Sequence, residues 1–282
     1  MSLPDIAFLL VAGMVAGVIG TAGGITSLVS YPALLAVGLP AYEANVANLV
    51  AGVACWPASA LVSRPELRTV RAHLPAGMAA AAAGAAAGTG LLLVTGSDLF
   101  RQLVPFLVAA GSCVLLAAPR LTSWYAKAGG DRARSATFAV ALISVYGGYF
   151  GAGSGVMLLA ATLVLTSRRI AEANASKNMY LGAGGVASAL ILTTAAPVPW
   201  TSVAVLAGGL LVGSLVGPLL ARRLPAGILR WAAAILGFVL AVILFVDTLR
   251  QTRKFSETPL SGAATRRSEP EVVYLAHARG RF

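Results

Sequence analysis

The sequence predicts an all-α integral membrane protein built from two inverted repeats of about five helical segments each, one short broken hairpin plus three spanning helices. Three observations lead to this prediction. Only 11% of the 282 residues are charged and 58% are hydrophobic, whereas a soluble domain has about 25% charged residues. Long apolar runs alternate with short charged or glycine-rich breaks. Several short motifs also recur at one fixed spacing, as in duplicated transporter halves.

The repeat is visible in ordered motif pairs that lie 129 residues apart. The triplet EAN at 43–45 returns at 172–174, and the run ASALV at 58–62 returns as ASALI at 187–191. Pairs of small residues spaced four apart are typical of helix contact faces in membranes. Such a glycine pair recurs in both copies: Gly84 with Gly88, and Gly213 with Gly217.

Ten apolar segments follow one another, and turn or charge signals separate them. They cover residues 6–19, 25–38, 44–63, 74–95, 102–118, 136–150, 155–166, 174–194, 201–221 and 229–247. The segments predict a first transmembrane repeat at 1–119, a cytoplasmic linker at 120–134, a second transmembrane repeat at 135–249 and a flexible polar tail at 250–282. The tail lacks hydrophobic periodicity, which is typical of disorder.

Four of the segments, 6–19, 25–38, 136–150 and 155–166, are too short to cross the bilayer alone. At 1.5 Å per residue they reach about 20–23 Å, against a hydrocarbon core of about 30 Å. In each half a glycine-rich break joins the short pair. The pair forms either one interrupted helix that crosses once or a hairpin that enters and returns.

Loop charge favours the hairpin, with the N-terminus outside. Thirteen basic residues then fall on inside loops and only Arg101 on an outside loop before the tail, as the positive-inside rule expects. The basic tail itself lands outside, against the same rule. Because the first half then enters from outside and the second from inside, the halves are predicted to be inverted. The inside set is Arg64, Arg68, Arg71, Arg120, Lys127, Arg132, Arg134, Arg168, Arg169, Lys177, Arg222, Arg223 and Arg230.

The two glycine-rich breaks, GTAGGITS at 20–27 and GAGSG at 151–155, are the first candidates for a binding site. A helix that begins inside the membrane has free N–H groups and a partial positive charge at its first turn. Two such starts would attract an anion; alternatively, these glycines only pack helices closely. The candidate binding residues here are Gly20, Thr21, Gly23, Gly24, Thr26, Ser27, Gly151, Gly153, Ser154 and Gly155.

Polar side chains on the following helices are the second set of candidates: Asn45, Asn48, Asn174, Lys177 and Asn178. Residues three or four apart share a helix face, and buried amides in membrane segments usually face the bundle interior. The amides either donate to an oxyanion or cap the broken helices. Lys177 is either a counter-charge for an anion or a side chain that snorkels to the cytoplasmic interface.

Other function classes find little support in the sequence. Ser154 would need a positioned base to act as a nucleophile, and the only histidines are His73 and His277, in a loop and in the tail. Metal-ligand spacings and a phosphate-loop motif are missing, so we expect no catalysis, no cofactor and no metal. The basic residues that give the net charge of +11 are scattered between apolar runs, which argues against a nucleic-acid partner.

The motifs around both breaks resemble the TauE/SafE sulfite exporter family. In the first half these are GTAGG at 20–24, PALL at 32–35, GLP at 38–40 and EAN at 43–45. In the second half they are YGGYFGAGSG at 146–155 and EANASKN at 172–178. The resemblance covers about residues 5–248. It implies a membrane permease for sulfite, organosulfonates or related anions, with both breaks and the region of Asn45 and Asn174 around the substrate.

We therefore expect a multi-pass protein of a bacterial cytoplasmic membrane that moves a small anion by alternating access around a midplane site. Sulfite or an organosulfonate is the leading substrate. Two alternatives stay open: a permease for another small anion such as a carboxylate, and a non-transporting membrane scaffold or accessory subunit. The expected partners are the anion and the lipid bilayer, and a homo-oligomer is compatible with the sequence.

Overall fold

A computed structural model describes residues 1–125, 132–166 and 169–222, and this part of the chain is helical without strands. The predicted tail and the segment 229–247 lie outside the described residues. The helices are α1 (Leu3–Gly23), α2 (Thr26–Ala36), α3 (Ala41–Gly52), α4 (Cys55–Val62), α5 (Arg64–Val70), α6 (Leu74–Tyr125), α7 (Arg132–Tyr149), α8 (Ser154–Thr166), α9 (Ile170–Ala195) and α10 (Trp200–Ala221).

Apolar helices of spanning length confirm the predicted class of helical membrane protein. Four stretches in the described part are long and apolar enough to cross a bilayer: Leu3–Gly23, Ala41–Val62, Leu74–Val104 and Trp200–Ala221. The second combines α3 and α4. Helix α6 kinks at Gly96, whose φ of 70° leaves the helical region, at the break predicted between its two apolar segments.

The prediction that four segments are too short to cross alone is wrong for one of them, α1. Helices α2 and α8 have only 11 and 13 residues. Helix α1, however, has 21 residues and reaches about 31 Å, enough to cross. It gains length at both ends, because Ser2 and Asp5 form a capping box and its last glycines stay helical up to Gly23. Helix α7 begins at Arg132 and has 18 residues, or about 27 Å.

Glycines bring α6 against α7 and α1 against α10, which confirms the predicted contact faces. A Cβ on Gly84 or Gly88 would overlap the carbonyl oxygens of Ala141 and Val145 on α7. In the other pair, Gly213 and Gly217 pack in the same way on the carbonyls of Met14 and Val18 on α1. The first helix of each predicted repeat therefore packs on a helix of the other repeat.

A bidentate ion pair joins the end of α10 to α5. Arg222 donates from Nε to Oε1 of Glu66 at 2.8 Å and from Nη2 to Oε2 at 3.1 Å. Helix α10 therefore ends on the face that carries α5, and α6, which starts shortly after α5, leaves that face. The glycine contacts show α1 parallel to α10 and α7 parallel to α6. Helices α1 and α7 thus run in opposite directions.

Candidate functional site

The two interruptions of the helices touch each other. Helix α1 ends at Gly23 and is followed by Gly24, whose φ is 86°. The break between α7 and α8 contains Gly151 and Gly153, with φ values of 85° and 81°. Only glycine adopts this left-handed region without strain. A Cβ added to Gly155 would lie 2.6 Å from the Cα of Gly24. The backbone of one break therefore lies directly on the backbone of the other.

A cavity of about 110 Å³ lies beside this contact. Since a buried water needs about 10–15 Å³, the cavity has room for several waters or for a small anion. Ten of the fifteen predicted binding residues line it: Gly20, Thr21, Gly24, Thr26, Ser27, Asn48, Gly151, Ser154, Gly155 and Asn178. The structure brings these residues of both breaks together around one space.

Asn48 gives the cavity wall a hydrogen-bond donor that lacks a protein partner. Its side chain is 3% exposed, and its Oδ1 accepts a hydrogen bond from Ser30. Its Nδ2 is buried and finds no acceptor among the described residues. An unpaired buried donor costs about 1–3 kcal/mol. The hydroxyls of Thr26 and Ser27 form no hydrogen bond within the described part either.

Lys177 is buried behind the cavity wall and does not line the cavity. Of the two roles left open for Lys177, snorkelling to the interface does not fit, because Lys177 lies inside α9 with 0% exposure. The counting of Lys177 among loop residues is wrong for the same reason. Its Nζ donates to the carbonyl oxygens of Gly20 at 3.2 Å and Thr21 at 3.3 Å. These carbonyls near the end of α1 carry the negative end of the helix dipole, which holds the ammonium there.

Two amides on α9 add to this cluster. Asn174 donates from Nδ2 to the carbonyl of Thr21 at 3.0 Å, and Asn178 donates to the same oxygen at 3.1 Å. Of the two, only Asn178 also lines the cavity. Asn174 therefore has the capping role that the sequence left open beside anion binding.

Asn45 makes the corresponding contact in the opposite direction. It donates from Nδ2 to the carbonyl of Tyr149, the last residue of α7, at 2.9 Å. Asn45 and Asn174 are 129 residues apart, so each half caps the broken helix of the other. Neither residue lines the cavity, and neither do the predicted binding residues Gly23 and Gly153.

Several lining residues were missed by the sequence analysis. Ser59 and Ser188 both line the cavity, and they occupy equivalent positions in the repeated ASAL motif. That equivalence was the signal that could have identified them. Trp56 also lines the cavity, with its Nε1 3.3 Å from the Sδ of Met179 and its ring against the backbone of Gly182. Its place in the wall follows from tertiary packing, which spacing along the chain does not reveal.

The site contains few groups for acid, base or metal chemistry. Among the described residues there is no group of three His, Cys, Asp or Glu side chains that could hold a metal ion. The residues that line the cavity in this part of the chain include neither acidic side chains nor lysine or arginine. Small backbone-exposing residues, hydroxyls and amides make up its polar surface instead.

Spanning helices, two touching interruptions and a cavity beside them define a multi-pass membrane protein. A family model described as sulfite exporter TauE/SafE matches residues 6–244. The chain therefore belongs to the TauE/SafE sulfite exporter family, whose members are transporters and not enzymes. No curated protein and no solved structure matches the chain.

Proposed function

We propose that the chain is a permease of a bacterial cytoplasmic membrane that carries a small sulfur oxyanion, sulfite or an organosulfonate, by alternating access around the cavity. The observation that carries the proposal is the pairing of a positive charge with an unpaired donor. Lys177 donates to the carbonyls of the lining residues Gly20 and Thr21, and Nδ2 of the lining residue Asn48 has no partner among the described residues.

The charge of Lys177 argues for an anionic substrate. An ammonium has three N–H donors, and the carbonyls of Gly20 and Thr21 account for two of them. The ion pairs between described residues are Arg101 with Asp98 and Arg222 with Glu66, so no described carboxylate neutralises Lys177. A buried cation without a counter-charge is costly, and an anion in the cavity would offset that cost.

The neighbouring elements add to the attraction for an anion. Helix α2 begins at Thr26, its first turn has no side-chain cap, and both Thr26 and Ser27 line the cavity. The N-terminus of a helix carries a partial positive charge and free N–H groups. A compact oxyanion with several acceptor oxygens would match the N–H and O–H donors on this side of the cavity.

The arrangement of the halves supports transport by rocking. The backbones of the two breaks meet where Gly24 contacts Gly155, and both residues line the cavity. A site at the boundary between inverted halves is the usual arrangement in transporters that expose one site alternately to the two sides of the membrane. Family membership supports sulfur oxyanions as the substrates.

Flux into proteoliposomes tests the proposal. Purified full-length protein should accelerate entry of sulfite and of methanesulfonate more than entry of acetate. Replacing Gly24 or Gly153 by leucine should reduce flux to that of protein-free vesicles, because both glycines have a positive φ and Gly24 also contacts Gly155. Membrane insertion should persist, since the spanning helices keep their apolar length.

The matched control is Gly90→Leu, because a Cβ at Gly90 meets no atom within 4 Å. This variant should insert and transport like the wild type. Faster entry of acetate than of sulfite would favour the carboxylate alternative. An absence of flux with all three anions would contradict a permease and favour the scaffold alternative.

A further inference from the structure

The two halves differ at one pair of equivalent positions beside the cavity. Asn48 and Lys177 are 129 residues apart, and both are buried, with exposures of 3% and 0%. Asn48 contributes a neutral amide that lines the cavity. Lys177 contributes an ammonium that contacts the carbonyls of two lining residues, Gly20 and Thr21. At this equivalent position, the first half therefore has a neutral amide and the second half has a basic side chain.

Ionisable side chains are scarce at the cavity, which makes Lys177 distinctive. Cys55 and Tyr180 are the only lining residues with a titratable side chain in the described part of the chain, and both are neutral in their usual protonation states. Lys177 is the one basic side chain in the described part of the chain that donates hydrogen bonds to carbonyls of lining residues. In a low-dielectric interior, a charge that lacks an opposite partner is strongly disfavoured.

We propose that the cavity selects singly charged sulfur oxyanions over doubly charged ones, with Lys177 as the specificity-determining charge. The inference rests on the proposed anion permease and specifies the charge of its substrate. A monoanion and the ammonium together are neutral, whereas a dianion leaves one uncompensated negative charge in the membrane interior. Bisulfite and organosulfonates fit this condition, and sulfate does not.

Three tetrahedral sulfur compounds of similar size separate charge from shape: dimethyl sulfone, methanesulfonate and sulfate, with charges of zero, minus one and minus two. Their apparent Kd values for the detergent-solubilised full-length chain are measured by isothermal titration calorimetry at one ionic strength. Methanesulfonate should bind at least about tenfold more tightly than either of the others, since one unpaired charge in a poorly solvated site has an effect of that order or larger.

Variants that change the charge at positions 48 and 177 then test whether these two positions determine the selectivity between monoanion and dianion. Asn48→Lys places a second ammonium in the wall and should shift the sulfate-to-methanesulfonate affinity ratio toward sulfate by about tenfold or more. Asn48→Gln, which is longer but neutral, should leave that ratio unchanged. Lys177→Met should abolish the preference for methanesulfonate over dimethyl sulfone, and Lys177→Arg should retain it.

The wild-type ranking alone keeps the proposal falsifiable if a variant does not fold. Sulfate binding as tightly as methanesulfonate would overturn the charge selection while leaving an anion permease in place. An unchanged ratio in folded Asn48→Lys, or a retained preference in folded Lys177→Met, would also overturn it. Binding of neither anion, together with absent flux, would instead overturn the proposed function itself.

Discussion

Side-chain amides hold the two broken helices across the boundary between the halves. The carbonyl of Thr21 accepts from Asn174, Lys177 and Asn178, whereas Asn45 is the only side chain in the described part of the chain that donates to the carbonyl of Tyr149. Helix ends leave carbonyls that lipid does not satisfy. These donors therefore make it feasible for α1 and α7 to end inside the protein.

Because the two carbonyls have different numbers of side-chain donors, two similar substitutions should lower the free energy of unfolding by different amounts. Asn45→Leu should lower the free energy of unfolding by on the order of 1–3 kcal/mol, because it leaves the Tyr149 carbonyl without its side-chain donor. Asn174→Leu should cost less, because the Thr21 carbonyl keeps its bonds from Lys177 and Asn178. Denaturant unfolding in detergent measures both variants, and a larger loss for Asn174→Leu would contradict this account of the caps.

Among the helices, close contacts depend on glycine at particular turns. On α6, Gly88 lies against the carbonyl of Val145 on α7, while Gly90 faces open space. In membranes, where water does not drive helices together, such close backbone approach is a main source of association. The two glycines of one helix therefore have different roles despite their separation of two residues.

Alanine at these two positions should have opposite effects on stability. Gly88→Ala should lower the free energy of unfolding by about 1–3 kcal/mol, because the new Cβ overlaps Val145 and forces α6 away from α7. Gly90→Ala should be neutral or stabilise by up to about 1 kcal/mol, since alanine favours the helix and meets no neighbour. Thermal unfolding of both variants in the same detergent gives the comparison. Equal melting temperatures would show that this glycine contact does not hold the helices together.

The sequence predicted the helices better than it predicted their ends. Hydropathy identified α1 as apolar, but its C-terminal glycines at 20–23 suggested an earlier break. They remain helical because only Gly24 leaves the helical region. Glycine adopts both helical and left-handed backbone conformations. A glycine-rich stretch therefore indicates where a helix is able to end, but it does not identify the residue at which the helix ends. Helix α7 was also underestimated, because its first turn carries arginines that resemble a loop.

For the site, the sequence predicted the glycine breaks and the polar residues that surround them. It did not separate Asn48, which lines the cavity, from Asn45, which caps a helix one turn earlier. Both lie on one helix face, and the positions of α7 and α2 determine their different partners. Similarly, Lys177 was expected beside loop arginines, because the carbonyls that bury its ammonium belong to α1, more than 150 residues away.

At the scale of the whole molecule, the cavity lies at the boundary between the halves, because residues of both halves line it. Helices α1 and α7 run in opposite directions, and each packs on a helix of the other half. The ion pair of Arg222 with Glu66 brings the end of α10 next to α5. A site shared by both halves is accessible from either side only if the halves move relative to each other, which motivates the alternating-access proposal.

The central claim is that this cavity binds a small anion, and an experimental structure determined with methanesulfonate tests it most directly. At a concentration that saturates binding, we expect density for one anion in the cavity, with an oxygen within hydrogen-bond distance of Asn48 Nδ2 and the anion on the side of Gly20 and Thr21. A cavity without that density at saturation, or density only at another site, would contradict the account.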